Sequence, residues 1–342
     1  MRITRDILLK IARDTATQRA RVSRRLVCIY LVGSCLTEEP LLGGATDIDL
    51  VVIHDSDPLE PREIVRLSEE VHLDISHYSQ ETFRHPRHLR VDPWLGPFIY
   101  NKPLVLYDSG HWFDYNQAAT GAQFLHPDNT LARSRNLANA ARQSWMDLSF
   151  NSAGSDHRRR VYGYLKALEN AGNATASLIG LPLTERRFMV QFPQRAAALG
   201  KPDLSAGLVA LLAGEVEVSD ETWEGWLRSW DQALMDASKV ENCPPRLQPA
   251  RASYYTRAAS ALWEEHPTAA FWLLIRTWTL AVYHLPADSP AILPWQEACR
   301  VASLDKAHFG QRLEDLDRYL DAVEENLDQW AEKNGVVNTP DI

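Results

Sequence analysis

The sequence predicts an α+β protein, with a small mixed-sheet domain at residues 1–115 followed by an all-helical domain at 116–342. Three observations predict it. Apolar runs of strand length fall at residues 26–32, 47–53, 71–78 and 103–108, all early in the chain. Beyond residue 115 such runs cease, and segments 130–150, 157–179, 219–239, 250–284 and 305–334 suit helices separated by Pro- or Gly-containing breaks. A chain of 342 residues also has room for two hydrophobic cores.

The first element is helical. Ile3, Ile7, Leu8, Ile11 and Ala12 recur at helical spacing, and the helix ends in an arginine-rich turn (Arg19, Arg21, Arg24, Arg25) that reads as a solvated face. LVCIYLV at 26–32 is a short buried strand. A loop with Pro40, Gly43 and Gly44 leads to DIDLVVI, a second strand at 47–53. Residues 61–70 are expected to be helical. VHLDISHY at 71–78 alternates apolar and polar residues as a third strand, and PLVLYD at 103–108 is a fourth. In the helical part, ENCPPRLQPA at 241–250 has the composition of an internal linker. Eleven tryptophans point to well-filled helix interfaces.

Composition narrows the function. The net charge is −9, with a slight acidic excess in both halves, so a general nucleic-acid binder is disfavoured. The N-terminus alternates charged and apolar residues and lacks the apolar stretch of a secretory signal. The longest apolar segment, 271–285, is interrupted by Arg276 and too short to span a bilayer. Cys28, Cys35, Cys243 and Cys299 show no metal-ligand spacing. A reduced, cytoplasmic protein without a membrane segment is the expectation.

Asp47 and Asp49 stand two apart in a strand, so both carboxylates project from one face. Carboxylates a few ångströms apart repel one another, and a hard dication such as Mg²⁺ removes the conflict. In VHLDISHY, Val71, Leu73 and Ile75 take one face while His72, Asp74 and Ser76 take the other, which makes Asp74 a third candidate ligand. Gly33 and Ser34 end the first strand where a helix would begin. Glycine lets the backbone approach a phosphate, and the hydroxyl and following N–H groups can donate to it. An anion-binding turn, a carboxylate pair and a third carboxylate are the equipment of two-metal phosphoryl transfer.

On Gly33-Ser34, the DIDLVVI run from Asp47 and LDIS around Asp74, the sequence resembles the DNA polymerase β-like nucleotidyltransferase superfamily. Its layout is most similar to the bacterial two-domain, aminoglycoside-type nucleotidyltransferases. The resemblance covers about residues 26–110. It implies that Asp47 and Asp49 hold two Mg²⁺ ions, that Asp74 holds one of them, and that Gly33 and Ser34 contact the nucleotide phosphates. It also implies transfer of a nucleoside monophosphate, AMP from ATP being expected, to a hydroxyl of a small-molecule acceptor with release of pyrophosphate. Nucleotidylation of a protein or tRNA, or a non-catalytic nucleotide-binding antitoxin or sensor, are the alternatives. The chain departs from the family pattern in the longer spacing between Ser34 and Asp47, in Glu38, Glu39 and Pro40 within that loop, and in Thr46 where serine is commoner.

Two weaker signals accompany the site. In segment 157–179, Val161, Leu165, Leu168 and Ile179 share one face, while Arg159 and Lys166 on the other are candidate nucleotide-binding cations. The histidines match no standard metal spacing, but His72 shares a strand face with Asp74.

Overall fold

A computed structural model describes residues 3–150, 156–212 and 218–336. The chain divides into two compact units, Met1–Leu125 and His126–Ile342.

The first unit opens with α1 (Arg5–Val22), whose N-cap Thr4 accepts from the Ile7 N–H. Its described residues form five strands: β1 (Leu26–Val32), β2 (Thr46–His54), β3 (Arg62–Arg66), β4 (Val71–Ser79) and β5 (Leu104–Asp108). Their spatial order is β3-β4-β2-β1-β5. β2 pairs with β4 in parallel, and every other pairing is antiparallel, so the sheet is mixed as expected. Its described residues also form the short helices α2 (Pro86–Val91), α3 (Leu95–Tyr100) and α4 (Trp112–Gly121).

The alternation of side chains gives the sheet two cores. Ile48, Leu50, Val52, Val71, Leu73 and Ile75 pack with Leu8, Ala12 and Ala16 of α1 on one face. Val51 and Ile53 pack with Cys28, Tyr30, Phe83, Leu89, Ile99 and Phe113 on the other. The second face is therefore apolar toward the C-terminal half of β2 and polar at its start, where Asp47 and Asp49 emerge.

Residues 61–70 are not helical. Arg62–Arg66 is a short edge strand closing a hairpin on β4, and the turn is bound by its own groups. The Ser68 hydroxyl accepts from the N–H groups of Glu70 (3.2 Å) and Val71 (3.1 Å), while the Leu67 and Ser68 N–H groups donate to the Val71 carbonyl. The helical expectation rests on local pattern alone. Pairing with β4 satisfies the same backbone groups and partly covers the strand's inner face, which no local pattern reports.

The second unit contains α5 (Pro127–Phe150), α6 (His157–Ala176), α7 (Phe188–Ala198), α8 (Pro202–Leu212), α9 (Asp220–Ala237), α10 (Ala252–Trp263), α11 (Pro267–His284), α12 (Ile292–Val301) and α13 (Phe309–Lys333). The expected single helix at 250–284 is two. Pro267 disfavours helical backbone at the preceding residue, and His266 sits at φ −139°. The Pro-rich stretch 241–250 forms two 3₁₀ turns within this unit. Trp230, Trp272, Trp278 and Trp295 are fully buried here, in keeping with tryptophan as interface filler.

The interior of this unit also holds charge. Arg276 donates to Glu169 Oε2 through Nε (3.2 Å) and Nη2 (3.0 Å), and both residues are buried. Burial pushes the Glu185 carboxyl up, but Arg246, Arg276, Arg251 and the Tyr255 hydroxyl together hold it below the usual glutamate range. Arg158 donates to the Val282 and Leu285 carbonyls at the C-terminus of α11, so this arginine serves as a cap. No helix among the described residues is long and apolar enough to cross a membrane.

A second polar chain lies on the α1 face of the sheet. Arg19 donates twice to Glu63 (2.9 and 2.8 Å), Glu63 lies 3.6 Å from His77 Nε2, and His77 Nδ1 lies 2.9 Å from His54 Nε2. Desolvation and then the neighbouring His77 lower the pKa of His54. Desolvation and Arg19, outweighing Glu63, lower that of His77. Both therefore favour the neutral form in the fold. The unfolded chain binds protons at the ordinary 6.5, so the stabilisation is complete above that pH and is lost as pH falls through the lower folded values. Histidine NMR titration of the native chain should place both values below 6.5, and the thermal midpoint should fall on acidification from about pH 7.5 to about pH 5.5. A value above 6.5 for either ring would overturn this account.

Candidate metal centre

The centre begins with a register. β2 runs parallel to β4 with Asp47 opposite His72 and Asp49 opposite Asp74, and all four project from the face away from α1. Neighbouring strands stand about 4.8 Å apart, which puts opposite side chains in reach of one another. One ligand atom each of Asp47, His72 and Asp74 lies within 4.8 Å of the others. All three are buried, at 5%, 1% and 2% exposure.

Asp49 lies one step further along, partly exposed, beside the end of β1, where Val32 is its register partner. Its carboxylate leans on Gly33: a Cβ built on that glycine would stand 2.0 Å from Asp49 Oδ2. Gly33 also adopts φ +79°. Both facts require glycine here, because a side chain would be strained by the backbone and would collide with the carboxylate. The turn thus brings backbone against the Asp49 carboxylate.

Ser34 opens a 3₁₀ turn, Ser34–Leu36, in place of the helix expected from the sequence. Its hydroxyl meets Thr46 Oγ1 at 3.2 Å, and Thr46 donates to the Pro40 carbonyl at 2.9 Å. Thr46 has one hydroxyl proton, so with that bond made Ser34 is the donor of the pair. Thr46, fully buried, ties the long loop to the first residue of β2. Cys35 Sγ adds a contact to the Asp47 carbonyl at 3.3 Å.

Arg62 is a member of the site that the sequence does not announce. Its Nε donates to Asp74 Oδ1 at 2.7 Å and its Nη2 to Oδ2 at 2.6 Å, the two-pronged geometry guanidinium and carboxylate share. This arginine supplies positive charge to a carboxylate cluster that on sequence grounds requires a metal for compensation. It is hidden in the sequence because it lies on the edge strand whose local pattern suggests a helix. His72 is visible there as a residue sharing the face of Asp74, and the pairing of β4 with β2 brings it to Asp47.

The donor set fits a dication. Asp47, Asp49 and Asp74 provide the carboxylates expected of a Mg²⁺ site, and among the described residues the tightest grouping of ligand atoms is Asp47, His72 and Asp74. In the second unit, Arg159 and Lys166 are exposed on α6 opposite buried Val161, Leu165 and Leu168. Ile179 lies beyond the end of that helix and is 43% exposed, so it is not part of the buried face.

No protein-family model matches the chain, and no curated protein matches it. Among solved structures it is similar to a nucleotidyltransferase-like protein from Exiguobacterium sibiricum 255-15, at 12% identity and a TM-score of 0.33, over 61% of this chain and 69% of that one. So distant a likeness carries no chemical argument, which rests on the residues themselves.

Removing Arg62 should expose the cost of the cluster. Arg62→Met leaves buried Asp74 without its guanidinium partner, and the metal-free protein should lose about 1–3 kcal/mol, typical for a buried charged group deprived of its partner. Millimolar Mg²⁺ or Mn²⁺ should restore most of the loss in the variant and change the wild type less. Thermal unfolding with and without the cation checks this. Equal cation-induced shifts in both proteins would refute it.

Proposed function

We propose that the chain is a divalent-metal-dependent nucleotidyltransferase that moves a nucleoside monophosphate, AMP from ATP, onto a hydroxyl of a small-molecule acceptor with release of pyrophosphate. The observation that carries the proposal is the β2–β4 register, which gathers three carboxylates on one sheet face beside a glycine turn that closes on one of them. A buried cluster of like charges is costly and persists where the chemistry uses it.

In this reading Asp47, Asp49 and Asp74 would hold two divalent metal ions, which when bound would neutralise charge on the transferring phosphoryl group and its leaving oxygen. Gly33 admits the triphosphate close to the backbone, and the Ser34 hydroxyl turns from Thr46 to a phosphate oxygen. The acceptor oxygen attacks the α-phosphorus in line, the bond to the β-phosphate bridging oxygen breaks, and pyrophosphate leaves. The acceptor proton passes to a carboxylate, Asp74, once Arg62 yields one of its two bonds. Arg159 and Lys166, exposed on α6, are cations of the kind a triphosphate pairs with. An acidic chain favours a small acceptor over a nucleic acid.

Incubation with α-labelled ATP and a dication tests the reading, with the product followed as soluble, protein-bound or RNA-bound label. Asp47→Asn and Asp49→Asn should each abolish turnover while leaving the metal-free thermal midpoint unchanged or higher, because each relieves repulsion. Near wild-type turnover in either variant would refute the metal assignment. Ser34→Ala should weaken nucleotide binding by about 1–2 kcal/mol, the usual worth of a charge-assisted hydrogen bond. Unchanged affinity by calorimetry would remove that hydroxyl from the phosphate site.

A further inference from the structure

We infer that His72 is a direct ligand of the inner metal position, and that this position selects a first-row transition dication, with Mn²⁺ as its probe, over Mg²⁺. The inference rests on the metal-dependent reading above and goes beyond it by assigning a nitrogen donor and a metal class.

Placement carries the argument. The imidazole stands directly opposite Asp47 in the β2–β4 ladder, and its ligand nitrogen falls within 4.8 Å of carboxylate oxygens of both Asp47 and Asp74. β4 is an interior strand, paired on both sides by β2 and β3, so the backbone at His72 cannot shift to withdraw the ring. At 1% exposure the ring has no route to solvent either. A cation held between Asp47 and Asp74 therefore has the imidazole beside it.

The carboxylates also compete poorly for a purely oxygen-seeking ion. Both oxygens of Asp74 already accept from Arg62, so the negative charge that Asp74 lends a metal is shared with a guanidinium. Asp49 leans toward Gly33 and stands outside the tight grouping. The closest set is then one carboxylate, one arginine-bound carboxylate and one imidazole. Mg²⁺ demands hard oxygen donors and sheds its water reluctantly, whereas imidazole nitrogen suits first-row transition ions.

The test uses the full chain without nucleotide. Mn²⁺ and Mg²⁺ are titrated by calorimetry, and bound Mn²⁺ is examined by electron spin-echo envelope modulation, which detects a coupled imidazole ¹⁴N. Wild type should bind Mn²⁺ at least about tenfold more tightly than Mg²⁺ and show the ¹⁴N modulation. His72→Leu and His72→Asn should both lose the modulation and about tenfold in Mn²⁺ affinity, with Mg²⁺ affinity little changed. The asparagine variant keeps a polar side chain should leucine disturb folding. Mn²⁺ bound to wild type without ¹⁴N modulation, modulation surviving in both variants, or equal affinities for the two ions would overturn the inference and leave the metal-dependent reading standing. Failure of wild type to bind either ion would overturn both.

Discussion

The parallel pairing of β2 with β4 is the constraint on which the first unit depends, because it alone decides which acidic residues meet. A shift of one residue in that ladder would turn Asp74 and His72 onto the α1 face and Leu73 and Ile75 onto the polar one. The register is held by apolar material away from the site. Ile48, Leu50 and Val52 of β2 and Val71, Leu73 and Ile75 of β4 pack together under α1, so slipping would cost burial along both strands. The hydrophobic face thus sets the geometry of the charged one.

Placing carboxylates on a buried sheet face creates a repulsion that must be offset. The structure does so in three ways. Arg62 reaches across from the edge strand to hold both oxygens of Asp74. Asp49 is displaced toward the turn, into the space that only a glycine at position 33 leaves open. His72 adds an imidazole to the remaining pair, Asp47 and Asp74, in place of a further carboxylate. In the proposed reading a dication completes this compensation, and ligands on rigid strands are held within tighter limits than loop residues allow.

The second unit solves a different problem with different means. Its helices bury aromatic bulk, and its buried charges come as partnered sets: Arg276 with Glu169, and Glu185 among Arg246, Arg251 and Arg276. Such sets join α11 to α6, and α10 to the segment before α7, through directional bonds, where tryptophan packing alone would be permissive. The arginine run at 158–160 divides its labour: Arg158 caps α11 and Arg160 lies over the Phe309 ring, while Arg159 is the exposed member of the three.

By itself the sequence determined whatever depends on period alone. Alternation in TDIDLVVIH puts Asp47 and Asp49 on one face, and alternation in VHLDISHYS puts Asp74 with His72, whatever the strands later pair with. The same rule announced a sheet early in the chain and helices after it. Period is silent on partners. That Asp47 stands opposite His72 and Asp49 opposite Asp74, that Arg62 arrives on an edge strand and not a helix, and that Asp49 fills the space beside Gly33 are decisions between residues 12 to 25 positions apart. They depend on which backbone groups and apolar faces remain unsatisfied once the whole sheet assembles, and only the tertiary structure contains that information.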